Sequence, residues 1–224
     1  MSACFVTGTD TGVGKTVAST ALLHALRARG LRSIGMKPVA SGCERSADGW
    51  RNEDALALQA ASDVAADYAE INPFALPAPT APQLASREAG MEVTREPIER
   101  AFRALAARAD AVVVEGVGGW LAPLADGFEQ AELARAFELP VVLVVGLRLG
   151  CLNHARLTAR AIAGDGLRLA GWIGNQVEPV FDRREGYLGL LNAALPAPCL
   201  GLLPYAPDTP AAALAAHLDV APLL

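Results

Sequence analysis

The chain has 224 residues, of which 52% are hydrophobic and 19% are charged, and its formal net charge at pH 7 is −5. This composition excludes a disordered chain and suits one domain with a substantial core. The acidic balance, without any block of basic residues, argues against a nucleic-acid partner. We therefore predict a single domain over residues 1–224 that does not bind nucleic acid.

The sequence has no sign of a secretory or membrane segment. The N-terminal residues lack a charged leader and a cleavage site, and the longest apolar run, LPVVLVVGL at 139–147, is too short to cross a bilayer. The four cysteines lack CxxC spacing and three histidines are present, so neither a zinc site nor a disulfide framework is expected. These features predict a cytoplasmic protein without a membrane partner.

Short apolar runs alternate with amphipathic stretches along the whole chain. In chain order, the pattern predicts a strand at 3–8, a helix at 15–29, a strand at 32–39, helices at 53–66 and 95–108, a strand at 110–116, a helix at 129–137, a strand at 140–146, a helix at 154–164, a strand at 169–177, a helix at 183–194 and a strand at 199–205. Several of these strands are apolar on both faces, which is typical of parallel strands covered on both sides. The alternation predicts an α/β fold, with a mostly parallel sheet covered by helices on both faces.

The segment NPFALPAPTAP at 72–82 contains four prolines. Proline is excluded from central strands and helix interiors, and the segment is too apolar for a flexible linker. We predict an ordered, extended loop that packs near the functional site.

The stretch GTDTGVGKT at 8–16 lies between the first predicted strand and the first predicted helix. In such a turn, backbone N–H groups and the helix N-terminus hold phosphate oxygens. Lys15 would reach the β- and γ-phosphates, and the Thr16 hydroxyl would bind Mg²⁺. The spacing departs from the standard motif, because Gly8 lies one residue earlier than the first glycine, where this chain has Thr9. The context still predicts a nucleoside triphosphate site in a fold of the P-loop NTPase type.

Charged residues elsewhere suit the same site. Of 19 cationic residues only Lys15 and Lys37 are lysines, which indicates a need for a compact, mobile ammonium at these two positions. Glu115 follows an apolar run and precedes glycines, and sheets of this class bind ligands at the carboxyl ends of their strands. We therefore predict that Glu115 supplies a carboxylate to a Mg²⁺–nucleotide site. Asp54 begins a predicted helix, and taken alone it is expected to cap that helix.

Six stretches together closely resemble the dethiobiotin synthetases. They keep the family's order and spacing from residue 5 to about residue 205, and KPVASG and GCLNHA make the resemblance specific, because a phosphate loop alone is weak evidence. The stretches are FVTGTDTGVGKT, KPVASG, RNEDALAL, VEGVGGW, VVGLRLGCLNHA and LAGWIGNQV.

The resemblance implies a reaction. Enzymes of this family convert 7,8-diaminononanoate, CO₂ or bicarbonate, and Mg·ATP into dethiobiotin, ADP and phosphate. A substrate amine captures CO₂ as a carbamate, and the carbamate oxygen attacks the γ-phosphate. The second amine attacks the carbonyl carbon of the resulting mixed anhydride, expels phosphate and closes a cyclic urea. The implied cofactor is Mg²⁺, with ATP as co-substrate.

The resemblance also implies the residues of the site. Lys37 and Lys15 match the catalytic positions, and Thr16, Asp54 and Glu115 match the Mg²⁺-associated positions. The ATP-binding positions are matched by Gly12, Val13, Gly14, Lys15, Thr16, Val17, Asp54, Glu115, Gly116, Gly118, Asn175, Gln176, Pro204, Tyr205 and Ala206. The substrate-binding positions are matched by Thr11, Ser41, Gly150, Cys151, Leu152, Asn153 and Tyr187.

The resemblance further implies a homodimer, because family members bind the substrate carboxylate across a subunit interface. The matching residues 150–153 open a helix, and a helix N-terminus suits a carboxylate. Asn153 is expected to act also as the N-cap of that helix. Two positions depart from the family pattern: Ala211 replaces a frequent acidic residue, and Gly12 stands where some members have Glu. We therefore expect base selectivity to rest mainly on Asn175 and backbone contacts.

Two other kinds of ATP-binding protein fit less well. Glutamine-dependent cobyrinate amidases carry an additional glutaminase domain, for which this chain is expected to be too short. Partition and division-site ATPases have an additional lysine where this chain has Asp10, and they often end in a basic amphipathic helix, whereas this sequence ends HLDVAPLL. Both alternatives are separated from the first by measuring ATP hydrolysis with and without diaminononanoate and bicarbonate.

Overall fold

The computed structural model describes residues 2–224, and the predicted alternation of strands and helices is confirmed. The strands are β1 (Ser2–Gly8), β2 (Ser33–Met36), β3 (Val39–Ser41), β4 (Glu44–Ser46), β5 (Gly49–Arg51), β6 (Phe74–Leu76), β7 (Ala111–Gly119), β8 (Pro123–Ala125), β9 (Phe128–Glu129), β10 (Val141–Gly146), β11 (Leu169–Asn175) and β12 (Cys199–Leu203). The helices are α1 (Lys15–Ala28), α2 (Glu53–Ala61), α3 (Tyr68–Ile71), α4 (Pro82–Ala89), α5 (Arg95–Ala106), α6 (Gln130–Ala136), α7 (Cys151–Gly164), α8 (Arg184–Ala194) and α9 (Ala211–Leu214).

Six of these strands form a parallel sheet in the order β12-β11-β10-β1-β7-β2. Successive residues of β1 face opposite sides, so that Phe5 packs into one hydrophobic cluster and Val6 into the other, both fully buried. The first cluster includes side chains of α5 and α7, and the second includes α1 and α2. The prediction of a sheet covered on both faces is therefore confirmed.

The topology brings distant parts of the sequence to one edge of the sheet. The carboxyl ends of parallel strands lie together, and β1, β2, β7, β10 and β11 all end there. The phosphate loop follows β1, Lys37 follows β2 directly, and Glu115 lies within β7, paired with Val6. The site predicted from separate motifs is therefore assembled by strand order.

Most predicted boundaries differ from the observed ones by one to five residues. Helix α2 ends at Ala61 rather than at residue 66, and α7 begins at Cys151, earlier than the predicted residue 154. The proline-rich segment 72–82 includes β6, which pairs with β3 in a separate two-stranded sheet. This short strand contains no proline, because its three residues lie between Pro73 and Pro77.

The C-terminal segment packs against the main body. Leu214 and Val220 are buried in the cluster that α1 covers. Leu218 forms an antiparallel bridge with Gly201, which covers part of the sheet edge at β12. Within residues 2–224, none of the helices has the length and hydrophobicity needed to cross a membrane.

Candidate active site

The phosphate loop links the end of β1 to the start of α1. Gly14 caps the helix with a left-handed backbone (φ 82°), and a Cβ there would lie 2.1 Å from Asn175 Nδ2, so only glycine fits. Lys15 is the first helical residue, and its Nζ donates to the Asp10 carbonyl oxygen at 3.1 Å. The predicted residues Gly12–Val17 thus lie in a turn and a helix N-terminus, which together form an anion-binding geometry.

The surroundings of Lys15 disfavour its charged form. Burial and, to a smaller extent, the neighbouring Lys37 ammonium lower the pKa of Lys15 to about 8, although the nearby carboxylates raise it in part. An anion bound in the loop would relieve both effects. Two neighbouring cations of this kind suit a polyanionic ligand.

Lys37 is the centre of a buried ionic cluster. Its Nζ donates to Glu115 Oε1 at 2.6 Å, to Asp54 Oδ2 at 2.8 Å and to the Gly116 carbonyl oxygen at 3.3 Å. Lys37 is 2% exposed and Glu115 is fully buried. Burial lowers the pKa of Lys37, but the Glu115 and Asp54 carboxylates outweigh it and the net shift is upward. These carboxylates favour the charged ammonium form of Lys37 beside the phosphate loop.

The oxygens of this cluster match the ligand preference of Mg²⁺. The Thr16 hydroxyl donates to Glu115 Oε1 at 2.9 Å, while the buried Glu115 Oε2 has no hydrogen-bond partner. Burial raises the pKa of Asp54, but the Lys37 ammonium outweighs it, so Asp54 is ionised. A hydroxyl, an ionised carboxylate and an unsatisfied carboxylate oxygen fit a hard cation. Across residues 2–224, no group of three or more His, Cys, Asp or Glu is placed to hold a metal, so this set would need phosphate and water oxygens to complete it.

Asp54 does not cap its helix, contrary to the expectation from the sequence taken alone. The N-cap of α2 is Asn52, whose side chain accepts the Ala55 N–H at 3.2 Å. The Asn52 Nδ2 also lies 3.4 Å from the Ser41 carbonyl oxygen. An Asn directly before Glu-Asp at a helix start is a readable capping signal, which sequence reasoning missed here. With Asn52 as the cap, the Asp54 carboxylate is free to turn towards Lys37.

We expect Asn52→Ala to lower the free energy of unfolding by ~1 kcal/mol, because α2 loses its cap. It should also lower kcat/KM by ~10-fold, since the cap orients the first turn that carries Asp54. Steady-state kinetics and thermal unfolding measure the two effects. Asn52→Ser keeps a capping hydroxyl and serves as the control, with stability restored. Unchanged kcat/KM in Asn52→Ala would contradict the orienting role.

A cavity of about 550 Å³ adjoins the phosphate loop. Thr11 and Ser41 lie in its wall, with the glycine-rich segment after Glu115 on one side and the proline-rich segment on the other. The full lining is Thr11, Ser41, Pro79, Thr80, Ala81, Pro82, Val117, Gly118, Gly119, Ala122 and Pro123. The mostly small and apolar wall suits an alkyl chain. A larger cavity of about 670 Å³, between α4 and the β8–β9 hairpin, contains none of the predicted site residues.

The predicted nucleoside-binding residues divide into two groups. Asn175, at the end of β11, donates from Nδ2 to the Val13 carbonyl oxygen at 2.9 Å and so contacts the phosphate loop. Gln176 instead donates from Nε2 to the carbonyl oxygens of Glu178 and Pro179, at 3.1 and 3.0 Å. Its side chain closes a local turn. Residues 204–206 directly follow β12, with Tyr205 exposed.

The predicted carboxylate-binding residues lie at the start of α7. Gly150 is the N-cap, with φ 94°, so the expectation that Asn153 caps this helix is wrong. The cause is that the helix begins at Cys151, which puts the exposed Asn153 inside the first turn and Leu152 before it. Tyr187, on α8, packs against Phe181 with ring centroids 4.8 Å apart.

The loop before α7 is tied to the phosphate loop. Arg148 donates from Nη2 to Asp10 Oδ2 at 2.6 Å, and Asp10 Oδ1 accepts the Thr11 N–H at 2.7 Å. This ion pair joins two segments that sequence reasoning placed in the site separately. Arg148 was not among the predicted site residues, because nothing in its local sequence identifies its partner.

Comparisons with known proteins agree with this geometry. A family model described as an AAA domain matches residues 2–213. The chain is 62% identical over 218 residues to an ATP-dependent dethiobiotin synthetase BioD of Xanthomonas oryzae pv. oryzae, covering 97% of each chain. It is 61% identical over 207 residues to the protein of the same name from Xylella fastidiosa, covering 92% of each.

Solved structures with a similar fold are P-loop proteins of low identity. The cell division complex MinC:MinD of Aquifex aeolicus superposes with a TM-score of 0.58 at 15% identity, covering 93% of this chain and 83% of that one. The signal recognition particle receptor FtsY of Elizabethkingia anophelis gives 0.51 at 14% identity, covering 96% and 63%. These similarities support the fold alone. The sequence identities, together with the lysine and carboxylate cluster at the phosphate loop, establish that the chain belongs to the ATP-dependent dethiobiotin synthetase family.

Proposed function

We propose that this enzyme converts 7,8-diaminononanoate, CO₂ and ATP into dethiobiotin, ADP and phosphate, with Mg²⁺ as cofactor. The observation that carries the proposal is the Lys37 ammonium, buried between Glu115 and Asp54 beside the phosphate loop. A carbamate and a γ-phosphate are both anionic, so their reaction needs concentrated positive charge that is fixed in place. Lys15 and Lys37, the two lysines in a chain that otherwise uses arginine, supply protein charge of this kind.

The residues divide the chemistry between them. Lys15 neutralises the β- and γ-phosphates, and Lys37 neutralises the carbamate oxygen as it approaches the γ-phosphorus. ADP leaves with the electrons of the broken P–O bond, and the second amine later displaces phosphate from the carbamoyl carbon. Thr16, Asp54 and Glu115 would hold Mg²⁺, which would supply charge neutralisation to the phosphates.

The substrate chain occupies the cavity of about 550 Å³. Ser41 and Thr11, which both line this cavity, hydrogen-bond the diamine or its carbamate. The apolar wall from the proline-rich segment contacts the alkyl chain. Burial of methylene groups against this wall would supply binding energy of about 0.8 kcal/mol for each CH₂.

The substrate carboxylate binds at α7 of a second subunit, in a homodimer with shared sites. Asn153 is exposed, and its apolar neighbours Leu149 and Leu157 are 83% and 55% exposed. Such residues are more favourably placed in an interface than in water. A two-fold axis would create two equivalent sites.

Product formation from labelled bicarbonate tests the function. Label should enter dethiobiotin only when diaminononanoate, bicarbonate, Mg²⁺ and ATP are all present. ATP hydrolysis should likewise depend on diaminononanoate. Rapid hydrolysis without the diamine, and no labelled product with it, would instead indicate an ATPase of the partition or division-site type.

Ala211→Glu tests nucleoside recognition. Ala211 is the first residue of α9, and a carboxylate there is expected to lower KM for ATP about tenfold if it reaches the nucleoside, the effect of one added hydrogen bond. GTP and CTP, assayed in parallel, show whether selectivity changes. Ala212→Glu places the same charge on an exposed neighbour and should leave KM unchanged. Equal KM values for both variants would mean that position 211 lies outside the nucleoside site.

A further inference from the structure

Strand β7 contains a bulge beside the phosphate loop. Val6 pairs with Glu115, but Gly8 pairs with Gly119, so that Thr7 of β1 faces three residues of β7. A bulge leaves backbone groups without strand partners, and bulges next to active sites re-aim the residues they contain. Two of the bulged residues lie in the wall of the substrate cavity.

The side-chain amide of Gln130 fills this bulge. Its Oε1 accepts the Val117 N–H, and its Nε2 donates to the Gly119 carbonyl oxygen at 2.8 Å. The same Nε2 lies 3.4 Å from Thr7 Oγ1. Gln130 is the first residue of α6 and is 1% exposed. The amide therefore replaces the strand hydrogen bonds that the bulge removes.

The backbone opposite this amide fits it closely. A Cβ at Gly116 would lie 2.3 Å from Gln130 Oε1, so no larger residue fits beside the amide. Gly118 has a positive φ of 60°, and a Cβ at this position would lie 3.7 Å from Thr11 Oγ1. A buried polar group whose hydrogen bonds are all made stabilises one backbone conformation relative to other conformations. The arrangement held here is the one that forms the cavity wall next to Thr11.

We propose that Gln130 is a positioning residue for the diaminononanoate. It holds the bulged backbone of Val117 and Gly118 in the cavity wall without touching the substrate itself. The proposal rests on the proposed function of this site. Its effect falls on the diamine more than on ADP, because the phosphate loop keeps its own contacts through Asp10 and Asn175.

Two variants of similar volume test the role. Gln130→Met removes the hydrogen bonds of the side chain while filling a similar space, and Gln130→Glu keeps the acceptor for Val117 but sets a carboxylate oxygen against the Gly119 carbonyl. Both should raise KM for diaminononanoate ~10-fold, as expected for losing about one net hydrogen bond. ADP affinity, measured by calorimetry, should stay within about twofold of wild type.

Ser33→Ala is the matched control for loss of a buried polar contact. The Ser33 hydroxyl donates to the Leu23 carbonyl oxygen at 3.0 Å, at the amino end of β2 and away from the cavity. This variant should unfold at a lower temperature with KM unchanged.

A wild-type enzyme that forms no dethiobiotin would overturn the proposed function. An active wild type with unchanged KM in both Gln130 variants would overturn the role of Gln130. Failure of both to fold, or an equal rise in KM for Ser33→Ala, would assign Gln130 a structural role only.

Discussion

Lys37→Gln is expected to lower turnover by ~10²–10³-fold while ATP still binds. Glutamine keeps a hydrogen-bond donor at this position but not the charge that would neutralise the carbamate and the γ-phosphate. The buried Glu115 carboxylate also loses its counter-ion, and breaking a buried pair in this way costs about 3–5 kcal/mol of stability. Turnover should therefore be measured well below the unfolding temperature of the variant, with ADP binding measured by calorimetry.

Arg32→Gln provides the matched control for Lys37→Gln. Arg32 directly precedes β2, whereas Lys37 directly follows it, so the two cations lie at opposite ends of one strand. Arg32 pairs with Asp110 at 3.0 Å on the surface, where ion pairs contribute little. Its replacement should leave turnover unchanged. Turnover of Lys37→Gln within a few-fold of wild type would show that this ammonium is not part of the chemistry.

A refolded mixture of two impaired variants is expected to recover at most about a quarter of wild-type activity. One variant is Lys37→Ala, and the other combines Asn153→Ala with Tyr187→Phe. If each site takes Lys37 from one subunit and the carboxylate-binding residues from the other, a heterodimer contains one site with both lesions and one intact site. Random pairing puts half the chains in heterodimers, and half of their sites are intact.

The experiment unfolds and refolds the two variants together. Each variant alone should be poor at low substrate, and mixing them without unfolding should give only their average. Different affinity tags on the two chains identify the heterodimers. Heterodimers that are present but no more active than the average of the separate variants would mean that each chain builds its own site.

Local sequence was sufficient for the main elements of the fold, although not for the short helices α3, α4 and α9 or the small two-stranded sheets. A residue's place in a strand or helix depends on periodicity over a few neighbours, which is why the six strands of the main sheet and six of the helices could be predicted. The phosphate loop was equally readable, since Gly14 and Lys15 act through their own backbone geometry and position at a helix start. The same short-range logic placed Glu115 at the ligand-binding edge.

The partners of individual side chains could not be predicted from local sequence, because they depend on distances across the sheet. Lys37 and Glu115 are 78 residues apart and meet only because β2 and β7 are neighbours. Sequence reasoning gave Asp54 a capping role as a lone residue because it missed the capping signal of Asn52, whereas the contact of Asp54 with Lys37 depends on the fold.

The sequence by itself determined the α/β alternation, the phosphate loop and the family, because the patterns that indicate each of them lie within short contiguous stretches of residues. Only the tertiary structure decided how polar groups are satisfied. Gln176 stays a predicted nucleoside contact, and the structure shows that its amide closes a turn with Glu178 and Pro179. Gln130 had no motif at all, yet it fills the bulge in β7. A buried donor or acceptor must find a partner wherever the fold supplies one, and that partner's position is set by strand order and register rather than by neighbouring residues.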